Sequence, residues 1–207
     1  MKVLLINGSP HEKGCTYTAL LEVENELRNN RIETEIFHIG NKPIRGCNGC
    51  AKCKQNSNKC VFDDDCVNIA LAKLEACDGL IIGSPVYFAS ANGSLIAFLD
   101  RLFFAGCCFK YKPGACIVSA RRAGTTSTFD QLNKYLAISQ MPIVSSQYWN
   151  MVHGNNPEEV KKDFEGLQIM RTLGKNMSWL LKCIEAGKKS GITVPNAEER
   201  IGTNFIR

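Results

Sequence analysis

A chain of 207 residues, 44% of them hydrophobic, carries enough apolar material for one substantial core, and residues 1–207 read as a single domain in which 187–207 form a C-terminal tail or extension. The formal net charge of +5 is not gathered in one basic tract, which argues against a nucleic-acid surface; no apolar run approaches the ~20 residues of a membrane span, and MKVLLINGSP is too brief for a secretory segment. The expected setting is the cytoplasm, where the eleven cysteines are expected as reduced thiols or metal ligands in place of disulfides.

KVLLIN (2–7) is almost continuously apolar and ends in GSP, as a strand buried on both faces does. From Thr16, apolar residues at Leu20, Leu21, Val23 and Leu27 follow a helical face as far as the Asn pair at 29 and 30, after which IETEIFHI (32–39) alternates as a strand. GLIIG (79–83) repeats the buried strand, SPVYFASANGS is a polar turn, and SLIAFLDRLFF (94–104) is helical. ACIVSA (115–120), the loop RRAGTTS, a helix through FDQLNKYLAI (129–138) and a fifth strand in PIVSSQYW (142–149) complete the alternation. Residues 157–186 read as one long closing helix weakened by Gly166 and Gly174. Strands alternating with helices predict an α/β fold: a doubly wound, five-stranded parallel sheet with helices on both faces.

In such a sheet, ligands gather beyond the carboxyl ends of the strands. The first loop there, NGSPHEKGCT, joins a strand to a helix and offers Ser9, Cys15, Thr16 and Thr18 with Gly8 and Gly14, which suits a phosphate held by hydroxyls and helix N–H groups. Its glycines stand one residue too far apart for a Walker loop, no GK[ST] follows, and the G-x-G-x-x-G fingerprint is absent. The second loop sets Pro85, Val86, Tyr87 and Phe88 where a flat ring would need a wall, and the third brings Arg121 and Arg122 beside Gly124. His11, His38 and His153 are isolated in sequence and read as structural, with His11 set apart by its place in the phosphate loop.

Together INGSPHEKGCTYTAL, GCNGCAKC, GSPVYFASANGSLIAFLDR and QYWNMVHG resemble the flavodoxin-like NAD(P)H-dependent FMN reductases, including the iron-sulfur flavoproteins, over residues 1 to about 154. The resemblance implies FMN held at Ser9, Pro10, His11, Cys15, Thr16 and Tyr17, at Pro85, Val86, Tyr87 and Phe88, and at Ser119, Ala120, Arg121, Arg122, Ala123 and Gly124. It also implies NAD(P)H as co-substrate, a small-molecule acceptor such as a quinone, azo or nitro compound or flavin, or else a protein partner, and a homodimer or tetramer in which Tyr148, Trp149 and Asn150 reach a flavin. The catalytic chemistry is then the cofactor's, and no protein nucleophile is required. One departure is GCT where relatives commonly read GNT, which leaves Cys15 in place of an amide side chain.

Cys47, Cys50, Cys53 and Cys60 give C-x2-C-x2-C-x6-C, close to the ferredoxin run but with a longer last gap and no following proline. A [4Fe–4S] cluster, as the resemblance implies, a zinc ion and a metal-free loop all fit that spacing. Cys66, Cys77, Cys107, Cys108, Cys116 and Cys183 read as buried small hydrophobes, and Asp65 reads as a cap on the helix that follows it.

Overall fold

The computed structural model describes residues 1–106, 109–199 and 201–203; the sequence expectation for Cys107 and Cys108 lies outside them. In chain order the elements are β1 (Lys2–Asn7), α1 (Cys15–Asn29), β2 (Glu33–His38), a 3-10 turn (Lys52–Gln55), α2 (Val67–Glu75), β3 (Gly79–Tyr87), β4 (Ser90–Ala91), α3 (Gly93–Ala105), β5 (Gly114–Ala120), α4 (Thr125–Ile138), β6 (Met151–His153), α5 (Pro157–Val160) and α6 (Phe164–Lys189). Among the described residues no helix is long and apolar enough to cross a membrane.

Side chains alternate across a strand, so a strand apolar at every position must be covered on both sides. In β1, Leu4 and Ile6 pack into a cluster with α2, α3 and α4, while Val3 and Leu5 pack into the opposite one with α1 and α6. The sheet order is β2-β1-β3-β5-β6, parallel throughout, with β4 folded back antiparallel on the end of β3. Counting the parallel strands alone, this is the flavodoxin order, and its switch point lies between β1 and β3.

The expected doubly wound parallel sheet is therefore present, with three local corrections. The fifth strand is Met151–His153 rather than 142–149. Ile143 bridges Gly114 and Met151 pairs with Val118, so β5 advances from Gly114 to Val118 while the neighbouring segment runs from Ile143 to Met151. The surplus must loop out, and it carries the half-exposed Tyr148 and Trp149 with it. The expected long helix is two, interrupted between Val160 and Phe164, because Asp163 caps α6 through a hydrogen bond from Gly166 N at 2.9 Å and accepts another from His153 N at 2.6 Å. Gly174 is no weak point: a Cβ there would stand 2.7 Å from Glu26 Cβ and 3.0 Å from Val23 O, so its bareness lets α6 close on α1. Finally, Cys77 and Cys116 are buried as expected and Cys66 partly so, but Cys183 is exposed, two residues past Leu181 and off the Leu173, Met177, Leu181 stripe that α6 buries.

Candidate functional site

The first loop, after β1, owes its shape to polar groups that end an apolar strand. Asn7, fully buried at the end of β1, accepts from Ser9 N at 3.1 Å and donates to Glu12 O at 2.9 Å; Ser9 Oγ accepts from His11 N at 3.1 Å, and His38 Nε2 donates to Ser9 O at 2.8 Å. Gly8 has no room for a side chain, since a Cβ would lie 2.5 Å from Leu95 Cδ2 and 2.8 Å from Gly83 O. The helix behind the loop begins on Gly14 with no side-chain cap and no acidic residue in its first turn. The N–H groups of Cys15, Thr16 and Tyr17 open that turn, where no earlier helical carbonyl faces them, and the helix dipole adds partial positive charge. By contrast, Asn92 closes α3 with its own side chain, accepting from Ser94 N and Leu95 N.

Two expected phosphate ligands have other engagements. Thr16 Oγ1 lies 2.8 Å from Ser119 Oγ, both buried, which ties α1 to the end of β5. Cys15 Sγ donates to Gly154 O at 3.7 Å, and burial, with Glu159 adding to it, pushes its thiol up, so at neutral pH it is an uncharged SH. The missing amide of GNT is thus not replaced by the sulfur, and the backbone N–H is what the residue offers.

Beyond β3 the chain turns through Phe88 (φ 52°) and Ala89 (φ 60°), both left-handed without being glycine. The turn is clamped from α4: Ser127 Oγ donates to Ala89 O at 2.7 Å, and Gln131 Oε1 accepts from Ser90 Oγ and Ala91 N at 2.9 and 3.0 Å. Gly124, at φ 90°, comes so close that a Cβ would stand 2.7 Å from Ala89 Cα, so the second and third loops abut. Pro85 and Val86 are half-buried, Tyr87 and Phe88 exposed, and Arg121, Arg122 and Ala123 exposed, with no carboxylate paired to either arginine among the described residues. Ser119 and Ala120 are buried at the strand end. Asn150, expected toward a ligand, is buried beside β5 with Nδ2 donating to Cys116 O at 3.1 Å, while Tyr148 and Trp149 form an exposed edge-to-face pair with centroids 4.7 Å apart.

The long connection from β2 to α2 carries the cysteines. Cys53 is buried, Cys60 half-buried, and Cys47 and Cys50 exposed, yet all four line one recess floored by Phe104 and Ala105 of α3. Gly49, Ala51, Ser57 and Asn58 take left-handed φ as the loop winds around it. Arg101, 1% exposed, reaches in from α3: Nε donates to Cys60 Sγ at 3.2 Å, Nη2 to Phe62 O at 2.7 Å, and Nη1 to Arg45 O at 3.4 Å and to the buried Asp65 carboxylate. The other oxygen of Asp65 accepts from Val67 N at 3.1 Å, close to the expected capping role.

Comparison with known proteins gives this geometry a family. The family model described as NADPH-dependent FMN reductase matches residues 1–156. The chain belongs to that family. An iron-sulfur flavoprotein of Methanocaldococcus jannaschii is 32% identical over 194 residues, covering 89% of this chain and 100% of the relative. Another, from Methanosarcina thermophila, is 28% identical and covers 91% of this chain and 99% of its own. RosB, solved with bound 8-demethyl-8-formylriboflavin-5'-phosphate, superposes with a TM-score of 0.69 at 15% identity over 100% of this chain and 94% of its own, a likeness of fold.

The chain is an oxidoreductase of the FMN reductase type, and sequence reasoning passed over two buried polar residues that hold its loops, Asn7 and Arg101. Asn7 was visible only as the one polar residue ending an otherwise apolar strand. Arg101 carried a stronger signal: it follows Phe98 by three residues and precedes Leu102, positions that share the buried face of α3.

Proposed function

We propose that FMN binds in the crevice between β1, β3 and β5, that NADH or NADPH reduces it, and that the cysteine recess holds a [4Fe–4S] cluster, so that the chain acts as an iron-sulfur flavoprotein exchanging electrons with a protein partner. The observation that carries the second cofactor is that Cys47, Cys50, Cys53 and Cys60 line one recess. A [4Fe–4S] cluster takes four thiolate ligands, and these four thiols share one recess. The two full-length relatives named above are iron-sulfur flavoproteins, which supports the same reading.

When bound, FMN supplies hydride exchange and the cluster single-electron exchange. The residues supply the rest. The open N–H groups of Cys15, Thr16 and Tyr17 receive the phosphate, with the loop held by Asn7 and His38. Val86 and Tyr87 would give the ring a wall, and the guanidinium groups of Arg121 and Arg122, exposed and without a paired carboxylate among the described residues, would offset negative charge gained on reduction. A small acceptor such as a quinone, azo or nitro compound or flavin is the second reading, favoured by the exposure of Tyr87 and Phe88. The exposed Phe88, Tyr148 and Trp149 favour a homodimer or tetramer, which sedimentation tests.

Anaerobic purification with iron and sulfide should give about four irons per chain and a brown protein that also carries FMN. Cys53→Ser should abolish iron and leave FMN in place, because the two loops are separate. Iron at background level in the reconstituted wild type would leave a plain flavin reductase, and failure of both NADH and NADPH to bleach the flavin band would remove the nicotinamide step.

A further inference from the structure

The guanidinium of Arg101 is buried against the loop that carries the four cysteines. We propose that Arg101 is a positioning residue for the cysteine site: it fixes the loop from Arg45 to Asp65 on α3 and aims Nε–H at Cys60 Sγ, thereby raising the reduction potential of a cluster held there. The sulfur half of this proposal rests on the cluster reading above; the loop half does not.

The geometry divides the side chain's work. The two Nη groups bond the carbonyls of Arg45 and Phe62 and the carboxylate of Asp65, residues that bracket the cysteine loop at both ends. An arginine has a planar fork of donors that can satisfy several acceptors at once and stays charged when buried, which a lysine does not match. With those donors spent on the frame, Nε is left facing Cys60 Sγ at 3.2 Å. The loop needs such a frame, since Ala51, Ser57 and Asn58 hold left-handed backbone and Cys47 and Cys50 are exposed. One-electron reduction of a cluster, with dithionite or the reduced flavin as donor, adds negative charge that spreads onto the ligating sulfurs. An N–H donor aimed at one of them, attached to a cation, stabilises that charge. Asp65 offsets part of the cation's field, so the directed N–H carries the larger share of the effect.

The test compares wild type with Arg101→Gln and with the double variant Arg101→Met/Asp65→Asn, which removes both members of the buried pair and so leaves no unpaired charge to prevent folding. In anaerobically reconstituted protein, an EPR-monitored dithionite titration should show the cluster's one-electron reduction constant fall about tenfold, equivalent to about 59 mV. In apo-protein, trypsin should cut at the exposed Lys52, Lys54 and Lys59 about tenfold faster in either variant than in wild type. An unmoved midpoint in a variant carrying wild-type iron overturns the sulfur half, and unchanged trypsin resistance overturns the loop half. Iron-free wild type overturns the cluster reading and the sulfur half together, while the apo-protein digestion still decides whether Arg101 orders the loop.

Discussion

If the N-terminus of α1 is the anion site, charging its cap should move stability and FMN affinity in opposite directions. Gly14 has extended backbone (φ −86°, ψ −162°), which any residue adopts, and an added Cβ would meet His11 Cβ at 3.1 Å, a contact relieved by a small shift. Gly14→Asp should therefore cap the helix. A carboxylate at a helix N-terminus contributes about 0.5–1 kcal/mol, which for a chain of this size raises the melting temperature of the FMN-free protein by about 1–4 °C. The same carboxylate competes for the N–H groups and repels the phosphate. Two unit charges about 4 Å apart interact by about 4 kcal/mol at an effective dielectric of 20, and keeping half of that after screening gives about 2 kcal/mol, or about thirtyfold weaker FMN binding. Gly14→Ser adds the same Cβ and a neutral cap, so it should bind FMN within a few-fold of wild type. Thermal melts of apo-protein and quenching of FMN fluorescence on titration measure the two quantities. Should Gly14→Asp bind FMN as tightly as Gly14→Ser does, the phosphate does not sit at α1, and the loop assignment fails.

Thr16→Ala should cost about 1–3 kcal/mol in denaturant unfolding, because Ser119 Oγ loses its buried partner; an unchanged midpoint would show that water replaces the bond. Gly174→Ala should destabilise by about 1–3 kcal/mol, since the backbone carbonyl of Val23 cannot move out of the new Cβ's way as a side chain could, and a melting temperature equal to wild type would refute the close approach of α1 and α6. Hydrogen bonds from Lys2 and Lys73 hold the Glu35 carboxyl below its usual value, so its contribution to stability is present above the ordinary glutamate range and disappears as pH falls through the lowered one. Glu35→Gln should accordingly lower stability slightly at pH 6 and leave it unchanged well below pH 4, and the same loss at both would place the effect in packing instead.

The sequence by itself determined the layered sheet and the edge where ligands gather. KVLLIN, GLIIG and ACIVSA are apolar at nearly every position, and a strand of that kind can be satisfied only with helices on both faces. It also determined the cysteine spacing and the glycines of the first loop, because both are local properties of a few consecutive residues. Tertiary structure decided whatever depended on partners distant in the chain. The fifth strand slipped to Met151–His153 because its register is set by hydrogen bonds to β5, and the polar residues looped out before it carry no local mark of being surplus. The closing helix broke at Asp163 because that carboxylate also accepts from His153 N, a bond across the fold that no helical periodicity encodes. Arg101 shows the same limit at the site. Its place on the apolar face of α3 is readable, but whether a cation there reaches solvent or is buried depends on the loop from Arg45 to Asp65 folding over it, with Asp65 and two backbone carbonyls supplying acceptors that lie far away in sequence.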